Sequence, residues 1–258
     1  MKLLVDVGNS RLKWAWLDRG ELRDPGGVSH RGEVPRRTIA ELSAAGRRPS
    51  QVLVASVVAP ALTAAIADGL AQELGAPARI AETEAAAAGV WNGYLDPRQL
   101  GVDRWLAMLA AFARYRTAVC IVDAGTALTV DAVAPDGRHL GGLIVPGPGL
   151  MRGALLQQTG GISSAADLLG NTQAGRDLAG DFWGRDIEAC IRLGSRRAIA
   201  CLVETCMKAL ARPDQPAGVL VLTGGDAPAL LGALSIPAEH RPLLVLEGLA
   251  LRHDAPSG

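Results

Sequence analysis

Three residues that can do phosphate chemistry follow one another in the middle of the chain, at Asp123, Gly125 and Thr126. They lie between two short apolar segments, residues 117–122 and 128–133, whose β-branched residues predict a pair of strands. A glycine lets the backbone approach a ligand, so that its N–H groups can face an anion. The carboxylate can hold a cation and the hydroxyl can bond a phosphate oxygen. An ordinary hairpin turn explains the same pattern, so this segment alone leaves both interpretations open.

The start of the chain carries a second copy of the pattern. Residues 2–7 and 11–17 predict two strands, with Asp6 at the end of the first and Gly8-Asn9-Ser10 at the turn. Lys13 can reach a phosphate from the second strand, or can be a solvated strand lysine. Two strand–turn–strand units in one chain indicate two similar halves that face each other across a phosphate.

Composition narrows the functional classes. The chain has 258 residues, 49% of them hydrophobic, which suffices for one large or two modest cores. It has 26 basic and 26 acidic residues, so nothing favours binding to nucleic acid or to an anionic membrane. The apolar run before Asp6 is too short for a signal peptide, and no apolar run reaches membrane-spanning length. We therefore expect a cytoplasmic protein with no membrane partner.

Alternating strand and helix patterns predict an α/β fold with helices packed on mixed sheets. We expect two domains, residues 1–115 and 116–258, with residues 18–37 as a polar connection. The remaining predicted strands are residues 51–58, 78–81, 140–145 and 218–222, and the predicted helices are 38–45, 61–74, 106–115, 151–158, 186–210 and 227–234. The segment 242–249 predicts a last strand and a short helix.

Two further segments can contact ligands. Asp103 stands at the predicted start of a helix, where a carboxylate either caps the helix or acts as a base. Arg104 follows it directly, and we expect this neighbour to keep the Asp103 carboxylate ionised. Thr223-Gly224-Gly225-Asp226-Ala227 follows a strand and opens a helix, which suits a nucleotide contact and equally a plain turn.

Five motifs in fixed order identify the chain as similar to one family. They are Asp6-Val-Gly-Asn-Ser-Arg-Leu-Lys13, Gly101-Val-Asp-Arg-Trp105, Asp123-Ala-Gly-Thr-Ala127, Gly141-Gly-Leu-Ile-Val-Pro-Gly147 and Thr223-Gly-Gly-Asp-Ala227. Together they resemble a type III pantothenate kinase of the Bvg-accessory-factor-like branch, over essentially the whole chain. The resemblance implies two ribonuclease H-like domains of the sugar-kinase/actin-like ATPase superfamily. It also implies a homodimer that phosphorylates pantothenate with ATP, magnesium and a monovalent cation, potassium or ammonium, in the first step of coenzyme A biosynthesis.

The resemblance assigns roles by matching motif. The ATP contacts it implies are Asp6, Val7, Gly8, Asn9, Ser10, Arg11, Leu12, Lys13, Gly125, Thr126, Thr223, Gly224 and Gly225. The pantothenate contacts it implies are Tyr94, Gly101, Val102, Asp103 and Arg104, with Asp103 as the proton acceptor. Asp123 would hold the monovalent cation, and Asp6 would hold magnesium, directly or through water. A regulatory or accessory protein that keeps the fold without turnover is the alternative, and a different small-molecule kinase or a phosphatase on the same architecture is a third interpretation.

One motif of the family is altered. The family has an Asn-Thr pair that opens a helix and contributes a threonine to the partner subunit's pantothenate. The best register here places Ile187 where that threonine is expected, and Thr172 after Asn171 gives a second register with a poorer match downstream. No residue is assigned to this contact.

Overall fold

Two five-stranded sheets with one strand order form the framework. The computed structural model describes residues 1–30, 32–159, 182–211 and 217–252. In the first sheet β1 pairs antiparallel with β2 and parallel with β4, and the order across the sheet is β3-β2-β1-β4-β5. Its strands are β1 (Lys2–Val7), β2 (Arg11–Asp18), β3 (Glu21–Ser29), β4 (Val52–Ser56) and β5 (Ala78–Ile80).

The second sheet repeats this arrangement. Its order is β10-β9-β8-β11-β12, so the first strand of each sheet is again central, between its hairpin partner and a later strand. Its strands are β8 (Val119–Ala124), β9 (Ala127–Val133), β10 (His139–Pro146), β11 (Val219–Thr223) and β12 (Glu239–His240). A small two-stranded sheet consists of β6 (Ala86–Ala87) and β7 (Val90–Trp91). The prediction of two similar α/β halves is confirmed by this shared topology.

The predicted helices are confirmed, with ends that differ by up to four residues. The described helices are α1 (Arg36–Ala44), α2 (Pro60–Leu74), α3 (Val102–Tyr115), α4 (Pro148–Gln158), α5 (Ile187–Leu210), α6 (Ala227–Leu231) and α7 (Leu244–Leu251), with a short 3₁₀ turn at Pro97–Gln99. Helix α5 continues through Gly194 without a break. None of the helices within the described ranges is long and apolar enough to cross a membrane.

Contacts divide the chain into two compact units. The first contains the described residues of Met1–Val119, Asp131–Gly141 and the chain from Leu243 to Arg252, and the second contains Cys120–Val130 and the described residues of Gly142–Pro242. The division therefore passes through the strands of the second sheet. The predicted domain boundary at residue 115 stays a prediction.

The core of the first unit lies on the β1 strand. Alternate residues of β1, including Leu3 and Val5, join Ile39 of α1 and Ile66 of α2 in one buried cluster. Helices α3 and α7 pack so closely that a Cβ added at Gly248 would lie 2.0 Å from the Leu106 carbonyl oxygen. This contact fixes α3, whose first turn carries the residues from Val102 to Arg104.

The polar connection predicted over residues 18–37 is wrong, because Glu21–Ser29 forms the edge strand β3. Its sequence contains Pro25, Gly26 and Gly27, which argue against a central strand but are tolerated at an edge. The Trp14 ring lies over Gly26, where an added Cβ would be 2.2 Å from the Trp14 ring. The tryptophan supplies the packing that the glycine lacks.

The last strand predicted within 242–249 is also wrong. Residues Leu244–Leu251 form α7, and Leu244, Leu246 and Leu249 are buried. A short continuous apolar run is compatible with a buried strand or a buried helix, and periodicity does not separate the two. Packing against α3 decides the outcome here.

Candidate active site

The first glycine turn closes the β1–β2 hairpin. The Gly8 N–H donates to the Arg11 carbonyl oxygen at 3.0 Å, which leaves Asn9 and Ser10 exposed at the tip. Asp6 is buried, and the strand register places it directly opposite Lys13. Directly opposite residues of an antiparallel pair project on the same face of the sheet. The hairpin thus places the side chains of Asp6 and Lys13 on the same face of the sheet, close to the turn.

Two of the residues assigned to this loop have apolar side chains in the core. Val7 is fully buried and Leu12 is 2% exposed, and both belong to the cluster beneath α1 and α2. Any contact that they make with a nucleotide would therefore come from their backbone atoms. Arg11, by contrast, is exposed at the start of β2.

A buried histidine that sequence reasoning missed holds this turn. His30 Nε2 lies 2.7 Å from the Gly8 carbonyl oxygen, and the His30 backbone N–H donates to the Ser10 carbonyl oxygen at 3.3 Å. The Gly32 N–H donates to His30 Nδ1 at 3.1 Å, so Nδ1 is the acceptor and Nε2–H is the donor to Gly8. His30 therefore fixes the backbone of the Gly8–Ser10 turn from both ends.

The second glycine turn is built from three of the five motifs. Gly125 closes the β8–β9 hairpin through its N–H to the Ala127 carbonyl oxygen at 3.2 Å, and Thr126 is exposed at the tip. The Gly147 N–H donates to the Thr126 carbonyl oxygen at 3.0 Å. An added Cβ at Gly147 would lie 2.2 Å from the Gly125 carbonyl oxygen, so no larger residue fits this contact.

The Thr223–Ala227 motif contacts the start of the same turn, at Asp123 and Ala124. Gly224 has a φ of +92°, and a Cβ added to it would lie 2.3 Å from the Ala124 carbonyl oxygen and 2.5 Å from Asp123 Oδ1. The Asp226 N–H donates to the Ala124 carbonyl oxygen at 2.9 Å. The loop after β11 and the turn after β8 are thus in direct contact, while Thr223 is buried beneath them.

The predicted acceptor-side residues also meet, in the first unit. Arg104 Nη1 donates to the Tyr94 hydroxyl at 2.8 Å, and its carbon Cζ lies 5.6 Å from the centre of the Tyr94 ring. The remainder of the guanidinium is held by Asp131 of β9, to which Nε and Nη2 donate at 2.8 and 2.6 Å. Arg104 therefore has a fixed position next to the tyrosine.

Asp103 does not occupy the predicted N-cap position. Gly101 is the N-cap residue, helix α3 begins at Val102, and Asp103 lies in the first helical turn. Its Oδ1 accepts the Arg104 N–H at 2.7 Å, and an added Cβ at Gly101 would lie 2.6 Å from Oδ1. The missing side chain at Gly101 therefore leaves room for the Asp103 carboxylate.

Burial of Asp103 affects its pKa more than the neighbouring charge of Arg104 does. Burial is the largest influence and raises the pKa of Asp103, while the Arg104 N–H and the Arg104 charge lower it by less. The physical reason is that the guanidinium is directed to Asp131 and not to its chain neighbour. A carboxyl with a raised pKa is a stronger base when ionised, which suits proton abstraction.

The departure from the family pattern lies at the start of α5. Asp186 is the N-cap residue of this helix and its carboxylate accepts the Ala189 N–H at 2.7 Å, so Ile187 is the first helical residue. The alternative candidate, Thr172, lies outside the described residues.

The topology and the glycine turns define the class of protein. Two sheets of matching order, each opening with a strand–turn–strand unit, are the architecture of actin-like ATPases and sugar kinases. A Sinorhizobium meliloti protein solved as a candidate 2-dehydro-3-deoxygalactonokinase matches all of this chain and all of its own with a TM-score of 0.59 at 15% identity. The (R)-2-hydroxyglutaryl-CoA dehydratase component A of Acidaminococcus fermentans matches 97% of this chain and 95% of its own, with a TM-score of 0.50 at 14% identity.

Sequence comparison narrows this class to one family. The family model of type III pantothenate kinase matches residues 2–209. The type III pantothenate kinase of Alcanivorax borkumensis is 39% identical over 250 residues, which cover 96% of this chain and 97% of the relative. That of Halorhodospira halophila is 38% identical over 275 residues and covers 99% of each. The chain belongs to the type III pantothenate kinase family.

Proposed function

We propose that this protein transfers the γ-phosphoryl group of ATP to the primary hydroxyl of pantothenate, giving 4′-phosphopantothenate and ADP in the first step of coenzyme A biosynthesis. Family membership over nearly the full chain supports this activity. The observation that carries it to particular residues is the half-buried Asp103 carboxylate, which lies next to Arg104 at the start of α3.

Asp103 is the general base in this proposal. Its carboxylate takes the proton of the acceptor hydroxyl as the oxygen attacks the γ-phosphorus, and the bond to the ADP oxygen breaks. Tyr94 and Arg104 orient the acceptor, together with the backbone from Gly101 to Val102. Since phosphoryl transfer depends mainly on positioning and charge neutralisation, these residues have no covalent step to perform.

The two glycine turns bind the phosphates of ATP. The turn from Asp6 to Lys13 and the Gly125-Thr126 turn present backbone N–H groups, a lysine and a hydroxyl to phosphate oxygens. The Thr223-Gly224-Gly225 loop lies on the adenosine side. We infer that the division between the two domains of the enzyme lies near residue 115.

Cations complete the proposed site. Among the described residues, no group of three or more His, Cys, Asp or Glu side chains is placed to hold a metal ion. Magnesium commonly binds through one or two carboxylates and substrate phosphates, so Asp6 at the end of β1 fits it, directly or through water. Asp123 fits a monovalent cation such as potassium or ammonium, because its carboxylate lies against Gly224, where a side chain would fill the space. Bound cations would neutralise phosphate charge.

The proposed assembly is a homodimer. Large apolar side chains are exposed on the second unit, among them Ile144 at 63% and Trp183 at 77%. We infer that contact with a second copy of the chain covers these side chains. Light scattering at micromolar concentration should give twice the chain mass of 26.7 kDa, and a single 26.7 kDa species would contradict the dimer.

A coupled ADP-release assay tests the function. We expect ADP release that requires pantothenate, magnesium and a monovalent cation, with 4′-phosphopantothenate detected by mass spectrometry. Omission of pantothenate is the control for background ATP hydrolysis. A folded protein that releases no pantothenate-dependent ADP would overturn the proposal and favour the non-catalytic regulatory alternative.

A further inference from the structure

A series of hydrogen-bonded, buried side chains extends from the proposed acceptor site. It starts at Arg104, passes to the Asp131 carboxylate through two hydrogen bonds of 2.8 and 2.6 Å, and continues to His139, whose Nε2 lies 3.1 Å from Asp131 Oδ1. Nothing assigned above to the reaction includes Asp131 or His139. The side chains of Asp131 and His139 are 3% and 0% exposed, so their polar atoms are not hydrogen bonded to solvent and depend on protein partners.

The far end of this series returns to the tyrosine loop. The Gly93 N–H donates to His139 Nδ1 at 3.4 Å, so Nδ1 is the acceptor and Nε2 carries the proton that Asp131 accepts. The His139 ring also stacks on the Tyr94 ring, with centroids 5.8 Å apart and planes inclined by 13°. An added Cβ at Gly93 would lie 2.1 Å from the His139 carbonyl oxygen, so the loop approaches β10 as closely as glycine allows.

These four side chains therefore form a closed ring of contacts. Arg104 donates to the Tyr94 hydroxyl, Tyr94 stacks on His139, His139 hydrogen bonds to Asp131, and Asp131 holds Arg104. Each side chain is fixed by two others that come from different elements: α3, the loop after β7, β9 and β10. A displacement of Asp131 or His139 would therefore remove a contact of Arg104 or of Tyr94, the two members that face the proposed acceptor site.

Electrostatics favours the pairing of Arg104 with Asp131. A buried guanidinium without a counter-charge is strongly unfavourable, so Arg104 stays with Asp131. Two parallel N–H···O bonds define the plane of the guanidinium as well as its distance. Three of its five N–H groups are bound to protein acceptors, so at most two are left for a ligand, and their directions are set by Asp131.

We propose that Asp131 and His139 are positioning residues for the acceptor substrate: they fix Arg104 and Tyr94 in the orientation that binds pantothenate. The inference rests on the proposed function and adds two residues to it. Neither residue touches a reacting atom. Their action is on the acceptor and not on ATP, since Asp131 binds Arg104 and His139 stacks on Tyr94.

The test compares two carboxylates of the β9–β10 region. Asp131→Asn keeps the shape and removes the charge that aligns Arg104. Asp136→Asn makes the same change at an exposed carboxylate that pairs with exposed Arg138. We expect Asp131→Asn to reduce kcat/KM for pantothenate about 10- to 100-fold, as a misplaced binding group does, with the KM for ATP within about twofold of wild type. Asp136→Asn should leave both unchanged.

Two substitutions at His139 distinguish a loss of pantothenate binding from a folding defect. His139→Gln keeps an N–H that can donate to Asp131 but loses the stacking on Tyr94, and His139→Phe keeps the stacking but loses both hydrogen bonds. We expect both variants to bind pantothenate more weakly by isothermal titration, and to melt as cooperatively as wild type. Because titration needs no turnover, binding is measured even where activity is low.

The outcomes separate this inference from the proposed function. Wild-type protein that fails to phosphorylate pantothenate overturns the proposed function and the inference with it. Active wild type with an Asp131→Asn variant whose pantothenate kinetics are unchanged overturns the positioning role alone. An Asp131→Asn variant in which the KM for ATP rises as much as the KM for pantothenate also overturns the positioning role, since equal increases indicate a general structural role.

Discussion

The guanidinium of Arg104 is bound by both carboxylate oxygens of Asp131, at 2.8 and 2.6 Å, and not by the carboxylate of its neighbour Asp103. Burial opposes ionisation of Asp131, but the hydrogen bonds from His139 and Arg104 outweigh it and lower the pKa of Asp131. The Asp103 carboxylate accepts the backbone N–H of Arg104, and burial raises the pKa of Asp103. Two carboxylates on either side of one arginine thus have opposite properties, one a fixed anion and the other a base.

Asp103→Asn should separate catalysis from stability. The amide oxygen can still accept the Arg104 N–H, but the group cannot take a proton, so we expect kcat to fall by roughly 10²–10⁴-fold. At neutral pH the variant should be at least as stable as wild type, because it removes a half-buried charge. Steady-state kinetics and urea unfolding measure the two effects. Turnover near the wild-type rate would show that the base lies elsewhere.

As the pH is lowered, the wild type should lose activity at a higher pH than it would if its general base had the pKa of an ordinary aspartate. The general base must be ionised, and burial raises the pKa of Asp103, so the acidic limb of kcat/KM shifts upward from the usual aspartate range. A raised folded-state pKa also means that the contribution of Asp103 to stability is fully present below its unfolded pKa and is lost as pH rises through its folded pKa. A pH–rate profile measures the limb. An acidic limb at or below the usual aspartate pKa would contradict this assignment.

The sequence predicts the duplicated framework because its signals are local. Each half opens with a short strand, an Asp-x-Gly turn and a second strand, and the structure confirms both hairpins. The edge strand β3 is not predicted because Pro25, Gly26 and Gly27 interrupt its strand pattern, and the contact of Trp14 with Gly26 is seen only in the folded sheet. The helix α7 was missed in part because its apolar run fits two kinds of buried element.

The candidate site shows the same division between local and distant signals. Tyr94 and the segment from Gly101 to Arg104 are found from short motifs. Asp131, His139 and His30 are identified only by contacts between residues 8 to 46 positions apart, which depend on strand order and register. A single sequence carries no signal for these pairings, since an aspartate in a strand and a histidine at its end are common.

The first glycine turn offers a prediction about His30. His30→Ala removes the donor to the Gly8 carbonyl oxygen, and the loss of one such hydrogen bond should raise the KM for ATP about 2- to 10-fold. His30→Gln retains an N–H at the end of its side chain and should recover part of the loss. The KM for pantothenate is the internal control and should change little. An unchanged KM for ATP in a folded His30→Ala variant would show that the turn does not need this contact.

The last prediction concerns two adjacent glycines in the loop after β11. Gly224 has a φ of +92° and an added Cβ would lie 2.3 Å from the Ala124 carbonyl oxygen, whereas Gly225 has a negative φ and open space around its Cβ position. Gly224→Ala should therefore lower the free energy of unfolding by about 2–4 kcal/mol, from left-handed backbone strain and overlap with the β8 turn. Gly225→Ala is the matched control and should unfold at nearly the wild-type urea concentration. Equal stability of the two variants would show that the contact between the two loops is not tight in solution.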